Sequence, residues 1–315
     1  MGSNHARVLS SLEGVTLVAV VDENSDKQAE RGHVKFIRSL AELIPGSIDF
    51  AVVATPTETH EAIAIQLLDI GIDILIEKPV AHTVASALRI SENLERSKRV
   101  AAVGHIERFN PAIQELKVRL ESGEIGEVYQ IATRRQGSFP NRINDVGVVK
   151  DLATHDIDLV TWVCNSEYEK IFALTAHKSG RSHEDMISAT GRLRNGIVVN
   201  HIVNWLSPMK ERKIVVTGDK GTYVANTLTG DLTLYENGVF SVEWEAFATF
   251  RGVTEGNISQ LSYPKKEPLR TELEGFRDYL RDGSGQIVSL EQGIRVLKVA
   301  EAMLKSQGAG MPVSL

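Results

Sequence analysis

Cysteine is almost missing from this sequence: Cys164 is the single one in 315 residues. One thiol excludes an internal disulfide and a thiolate-held metal cluster, and it suits a reducing compartment. Long apolar runs are missing too. Leu17–Val21 and Phe50–Ala54 are among the longest, far short of the roughly 20 residues that a membrane-spanning helix needs. Positive charge is not in surplus, with 35 Lys+Arg against 41 Asp+Glu and a net charge of -6. That balance offers no basic stripe to a phosphate backbone, so nucleic acid is not an expected partner. No basic-then-apolar leader opens the sequence, and repeats and low-complexity segments are absent. These absences set the expectation of a cytoplasmic protein that acts on neither membranes nor nucleic acid. What is present, 42% hydrophobic and 24% charged residues, is the composition of a globular chain with room for two domains.

The first third alternates short apolar runs with amphipathic stretches. Leu17–Val21, Phe50–Ala54, Ile72–Ile76 and Val100–Val103 read as strands, and Leu40–Ile44, Thr59–Ile70 and Thr83–Ser97 as helices. Continuous apolar strands separated by helices predict a parallel sheet covered on both faces. Beyond about Glu127 the segments lengthen and alternate: Val128–Arg135, Lys170–Ala176, Met186–Leu193, Ile197–Trp205, Arg212–Thr217 and Leu232–Tyr235. Turn signals such as Asn195-Gly196 and Asp219-Lys220-Gly221 lie between several of them and predict antiparallel hairpins. A helix over Asp151–Cys164 interrupts this region, and helices over Pro268–Arg281 and Leu290–Ser306 follow it. The expected fold is α/β: a Rossmann-type parallel sheet over residues 1–111, then an α+β domain over 112–315 with a large, mainly antiparallel sheet.

The opening is unusual. A dinucleotide-binding chain runs strand, glycine-rich turn, helix, with the helix N-terminus facing the pyrophosphate. Here Met1-Gly2-Ser3-Asn4-His5 leads straight into a helical stretch, Ala6–Leu12, so Gly2 reads as the last glycine of such a turn and the first strand is missing. The expectation that follows is a natural protein starting upstream of Met1 by roughly ten residues, the length of one strand and its turn. Asp22 ends the next strand, twenty residues after Gly2, where a carboxylate accepts both ribose hydroxyls of an adenosine. A solvated strand-end aspartate is the alternative. No arginine follows in Glu23-Asn24-Ser25, so NAD is expected ahead of NADP.

Polar motifs follow the other strands: Ala54-Thr55-Pro56 with His60, Glu77-Lys78-Pro79, Gly104-His105-Ile106-Glu107-Arg108-Phe109-Asn110-Pro111, and later Asp151-Leu152-Ala153-Thr154-His155 with Asp158. In this order they resemble the Gfo/Idh/MocA oxidoreductases, NAD(P)-dependent dehydrogenases of sugars and polyols. The resemblance covers essentially the whole chain. It implies a pyrophosphate site at Gly2, Ser3 and Asn4, and further cofactor contacts at Asp22, Thr55, Pro56, His60, Glu77, Lys78 and Arg108. It also implies that Lys78 stabilises a developing alkoxide, that His155 is the acid/base, and that Asp151 binds the sugar hydroxyl or orients the histidine. Lys78, Asp151 and His155 are thereby the expected substrate contacts, with Asp158 in support.

Read from the residues alone, Lys78 beside Glu77 is also a surface lysine paired with a carboxylate, and Asp151, His155, Asp158 are also a helix start with a satisfied histidine. Their i, i+4, i+7 spacing places them on one helix face. A metal on that trio would need a further strong ligand, and none is assigned. Gly104–Pro111 and Asp145–Asp158 look most like nucleotide-sugar enzymes, in particular those that oxidise the 3-hydroxyl of UDP-N-acetylglucosamine. The expected function is hydride transfer between a secondary alcohol of a sugar or nucleotide sugar and NAD. An NAD-dependent glycosidase with transient 3-oxidation, and a non-catalytic NAD/sugar sensor, are the alternatives. The family's second-domain sheet implies a homodimer or homotetramer. His183-Glu184-Asp185 reads as a solvated loop, and Trp162, Trp205 and Trp244 as packing residues.

Overall fold

The computed structural model describes residues 1–23, 34–44, 46–140, 145–238 and 254–315. Two compact units divide them: Met1–Ile106 with Glu267–Lys298, and Glu107–Lys266 with Val299–Leu315.

In the first unit, α1 (Gly2–Leu9) precedes β1 (Ala19–Val21), which pairs in parallel with β2 (Lys35–Ile37). A separate parallel sheet contains β3 (Phe50–Val53), β4 (Asp73–Glu77) and β5 (Ala101–Gly104), in that order. Ile74, Leu75 and Ile76 make β4 a buried apolar strand, as a sheet covered on both faces demands. Among the described residues no pairing joins the two sheets; β1 is partly buried along its length, and β3 is partly buried up to Val53, which is buried. Helices α2 (His60–Asp69) and α3 (Val84–Ser97) follow β3 and β4. Thr83 starts α3 by accepting the Ser86 N–H, and Lys98 ends it in a left-handed conformation.

The helix expected over Leu40–Ile44 is a single 3-10 turn, Leu40–Glu42. A Ser39/Glu42 capping box starts it, but Leu43 is already extended. The division of the chain also departs from a simple 1–111/112–315 split. Leu269, Leu273 and Phe276 of α6 (Pro268–Asp282) share a core with Val8, Leu9 and Leu12, and with Leu75 and Ala102. Each such side chain contributes roughly 1.5–3 kcal/mol on burial, enough to hold α6 in the first unit. The following α7 (Leu290–Ala309) supplies Leu290–Lys298 to that unit and its remainder to the second.

The second unit opens with α4 (Pro111–Glu121), which Asn110 caps by accepting the Ala112 N–H. Proline at the first helical turn leaves no donor unsatisfied that the helix would have used. The sheet strands are β6 (Val128–Ser138), β7 (Tyr168–Ala176), β8 (Met186–Leu193), β9 (Val198–Asn204), β10 (Leu206–Gly218), β11 (Gly221–Asn226), β12 (Asp231–Gly238), β13 (Thr254–Gln260) and β14 (Val313–Ser314). Their order is β13-β12-β11-β10-β6-β9-β8-β7-β14, antiparallel except where β6 meets β9. Sequence reading left β11 unassigned because Gly221 belongs to a turn signal. The glycine is needed by the strand itself, since a Cβ there would lie 2.6 Å from the Tyr235 carbonyl oxygen on β12. Trp244 and Asn24-Ser25 lie outside the described residues.

Along β6, Ile131, Thr133 and Arg135 alternate inward, and α5 (Thr154–Val163) lies against this strand, burying Ile157, Leu159 and Val160. At the sheet's centre His201 is fully buried between Thr133 Oγ1 and Tyr168 Oη, each 2.7 Å from a ring nitrogen. One nitrogen donates its N–H and the other accepts an O–H, an arrangement that a neutral ring satisfies. Burial, against a smaller opposing pull from Asp156, lowers its pKa from the usual 6.5 to about 4. The unfolded chain therefore binds the extra proton first, and stability falls as pH drops through that window. Urea unfolding is expected to give about 2–3 kcal/mol less stability near pH 4.5 than near pH 7 from this group. A His201→Gln variant should lack that part of the pH dependence; an unchanged profile would contradict the assignment.

Candidate active site

In the first unit Asp22, Thr55 and Glu77 lie at the carboxyl ends of β1, β3 and β4, and Gly2–Asn4 open α1. Gly2, Ser3 and Asn4 open α1 exposed to solvent, with only the Asn4 and His5 N–H groups turned back to the Met1 carbonyl. The N–H groups of Gly2 and Ser3 precede the helical ladder and point outward, and a Cβ on Gly2 would meet nothing within 4 Å. Asp22 is exposed immediately after β1. Glu77 ends β4 buried, and its Oε1 lies 2.7 Å from Nε2 of His5, a residue that motif reading passed over. His5 is itself buried, and its Nδ1 has no hydrogen-bond partner among the described residues. A helix N-terminus free of side-chain obstruction, an exposed strand-end aspartate and a buried strand-end carboxylate are the donor and acceptor set a dinucleotide requires.

His60 has a different position from one facing solvent. It is buried, with Nδ1 3.0 Å from the Pro79 carbonyl oxygen and Nε2 3.0 Å from that of Thr55. Burial lowers its pKa, against the upward pull of these carbonyls and Glu77. It thus ties the exposed Thr55-Pro56 turn to the Lys78–Pro79 peptide, which is cis. Lys78 is half-buried.

In the second unit the helix expected over Asp151–Cys164 begins as a π-helical turn, Val149–Ala153, and continues as α5. Such turns recur at functional sites, and no residue pattern distinguishes one from an α turn in the sequence. Asp151 is buried in it, while His155 follows in the first turn of α5. From Asp151 to Val160 every residue is buried except His155.

Charged neighbours fix this helix. Arg108 is buried and donates from Nε and Nη2 to both carboxylate oxygens of Asp158, at 2.7 and 2.6 Å. The cofactor contact expected of Arg108 is thus joined by a bidentate role inside the second unit. Arg135 donates Nε to Asp156 at 2.7 Å and Nη1 to Glu107 at 2.9 Å. Burial works against the Arg135 charge, but the two carboxylates outweigh it and hold its pKa above the usual value. Sequence reading missed Arg135. Its signal is its phase: it alternates with Ile131 and Thr133, on the face where a strand buries apolar residues.

The loop read as solvated is built into the same support. Glu184 and Asp185 are buried. Glu184 accepts the Val149 N–H on its side chain and the Val148 N–H on its carbonyl, each at 3.0 Å. Asp185 accepts the N–H groups of Lys178 and Ser179 at 2.7 Å, and these outweigh burial to lower its pKa. Trp205 is buried edge-on to Phe139, and Arg181 stacks over both rings, whereas Trp162 lies under Arg108 and Lys117.

A Cβ on Gly147 would lie 2.0 Å from Glu184 Oε1. Gly147→Ala therefore has to expel the carboxylate and break its bond to the Val149 N–H. Urea unfolding is expected to register a loss of about 1–3 kcal/mol. In a Glu184→Ala background the same change should cost much less; additive losses would mean that another contact is responsible. Among the described residues no group of His, Cys, Asp and Glu is placed to hold a metal, and no helix is long and apolar enough to cross a membrane.

Comparison with known proteins gives two matches that together span nearly the whole chain. Residues 1–105 match the family described as "Oxidoreductase family, NAD-binding Rossmann fold", and residues 117–315 the "Oxidoreductase family, C-terminal alpha/beta domain". Inositol 2-dehydrogenase 1 of Saccharopolyspora erythraea is 28% identical over 100% of this chain and 93% of its own. UDP-N-acetylglucosamine 3-dehydrogenase of Acidithiobacillus ferrooxidans is 26% identical over 97% of this chain and 96% of its own. A solved structure of that enzyme superposes with a TM-score of 0.83 at 25% identity, covering 97% of this chain and 94% of the other.

Proposed function

The chain belongs to the Gfo/Idh/MocA oxidoreductases through both of its domains, and from that premise we propose that it exchanges hydride between NAD and a secondary alcohol of a nucleotide sugar. The observation that carries the reading is that His155 alone keeps partial exposure on an otherwise buried segment from Asp151 to Val160. A partly exposed histidine there, on a helix held by buried ion pairs, is suited to exchanging a proton with a ligand.

In this reading NAD, when bound, supplies the hydride acceptor. The outward N–H groups of Gly2 and Ser3, with Asn4, hold its pyrophosphate, and Asp22 accepts the adenosine ribose hydroxyls. Thr55-Pro56 borders the dinucleotide. Glu77, oriented by His5, accepts hydroxyls of the second ribose. His155 takes the proton of the alcohol being oxidised, Asp151 accepts a substrate hydroxyl, and the Lys78 ammonium stabilises negative charge on the reacting oxygen. Supporting the nucleotide-sugar substrate are the residues around Asp145–Asp158 and the similarity to UDP-N-acetylglucosamine 3-dehydrogenase over nearly the whole chain. The single, partly buried Cys164 suits a cytoplasmic location.

The test is a fluorescence titration with NADH, then incubation with NAD and UDP-N-acetylglucosamine or myo-inositol. Saturable NADH binding and net NADH formation with the nucleotide sugar are expected. Failure to bind NADH would overturn the reading, and aglycone release with no NADH accumulating would replace it with glycosidase chemistry.

The reading includes a homodimer or homotetramer. On the outward sheet face Leu174 and Ile202 flank Ser188 across β7, β8 and β9, and both are exposed. Sedimentation equilibrium is expected to give a multiple of the monomer mass, and Ile202→Asp to lower it; a monomeric wild type would refute this arrangement.

A further inference from the structure

Among the described residues Arg212 is a half-buried arginine without a counter-ion. It lies on β10 directly opposite Arg135 on β6, and cross-strand partners project from the same face. That face carries α5, to which Arg135 is bound through Asp156, the residue after His155. Like charges opposite one another are unfavourable, and the two arginines resolve this differently. Arg135 is neutralised by Asp156 and Glu107. Arg212 donates from Nη1 to the backbone carbonyls of Gln136 and Glu211, at 2.7 and 2.8 Å.

Among the described residues no carboxylate is within ion-pair distance of Arg212. Even the neighbouring Glu211 turns its side chain to Arg134 and Lys213. Burial first, and then the charge of Arg135, lower the pKa of Arg212, against the more distant pull of Asp156, Glu107 and Asp151. The two carbonyls occupy both Nη1 hydrogens and so fix the plane of the guanidinium. Its other edge, Nε with Nη2, has no acceptor among the described residues, and neither atom is sealed from solvent. A planar edge of two parallel N–H donors matches two oxygens of a carboxylate or phosphate.

We propose that the Nε/Nη2 edge of Arg212 binds an oxyanion of the substrate, making this an enzyme for anionic sugars rather than neutral polyols. The inference deepens the oxidoreductase reading and rests on it for the word substrate. The shared chemistry is the oxyanion, whether the phosphate of a nucleotide sugar or the carboxylate of a sugar acid. Asp151, within electrostatic reach of Arg212, is then left to the uncharged hydroxyls.

The experiment is equilibrium dialysis of the full chain against inorganic pyrophosphate, glucuronate and myo-inositol, with NADH saturating so that the dinucleotide site does not take up the anion. Wild type is expected to bind pyrophosphate or glucuronate, and the stronger of the two identifies the oxyanion as phosphate or carboxylate. Arg212→Gln should weaken that binding by about tenfold or more, the effect of losing a charged hydrogen-bonded contact, with NADH affinity unchanged. Arg212→Lys retains the charge without the fork and is also expected to weaken binding, which keeps the test open should Arg212→Gln fail to fold. Wild type that binds neither anion, or anion binding unaltered in the variants, overturns the proposal. Failure of the oxidoreductase reading is seen separately, as no NADH binding or no NADH formation, and leaves the comparison between wild type and variant intact.

Discussion

Replacing His155 by glutamine is expected to lower kcat by about 10²–10⁴, the usual contribution of a positioned acid/base, while NADH affinity is unchanged. The separation follows from where the residue sits. His155 belongs to the second unit, and every group assigned to the dinucleotide except Arg108 belongs to the first. Glutamine keeps a hydrogen-bonding group of similar reach but has no proton to exchange near neutral pH, so the loss reports proton transfer and not packing. The flanking Asp156 and Asp158 remain paired with Arg135 and Arg108, so urea unfolding should hardly change. Lys78→Met is the companion measurement, expected to cost about 10²–10³ in kcat through the lost charge on the reacting oxygen. A loss smaller than about tenfold for His155→Gln would remove it from acid/base work and favour the ligand-binding sensor.

Some of this was legible in the sequence and some was not, for physical reasons that differ from residue to residue. The strands β3, β4 and β5 are short continuous apolar runs, and β6 to β9 alternate, because one set is covered on both faces and the other on one. Asn195-Gly196 marks its hairpin because Gly196 has a φ of 91°, which a side chain disfavours. The Asp151–His155 segment was legible through its ordered neighbours Glu77-Lys78-Pro79 and Thr55-Pro56. The supports were not. Arg135 meets Asp156, and His5 meets Glu77, across long stretches of chain, and no local pattern encodes which strand end faces which helix. Glu184 reads as polar loop because its burial depends on the loop folding back onto Val148 and Val149. Arg135 and Arg212 did carry a signal. Each alternates with inward apolar residues, Ile131 on β6 and Ile214 with Val216 on β10, and a charge in that phase has to be paired or put to use.

Arg135 is where breaking such a pairing should cost most in stability. Arg135→Met removes the cation that bonds both Asp156 and Glu107, leaving a buried aspartate with Oδ1 newly unpaired beside an Oδ2 that already has no partner among the described residues. Removing one member of a buried ion pair costs about 3–5 kcal/mol, because the remaining charge has lost water as well as its counter-ion. Urea unfolding of Arg135→Met is expected to show a loss of that size, a large share of the roughly 5–15 kcal/mol that ordinary domains possess. The double variant Arg135→Met/Asp156→Leu should recover a substantial part, because no buried aspartate is then stranded and an ion pair replaced by apolar groups is often close to neutral. Glu107, partly open to solvent, can rehydrate and limits what remains. The cycle separates two accounts of Arg135. If the double variant is as unstable as the single one, the arginine stabilises the fold through its own packing and its bonds to Glu107. If stability returns while kcat stays low, the Arg135–Asp156 pair is kept for the placing of the neighbouring His155, since a stable helix in the wrong position loses catalysis without losing the fold.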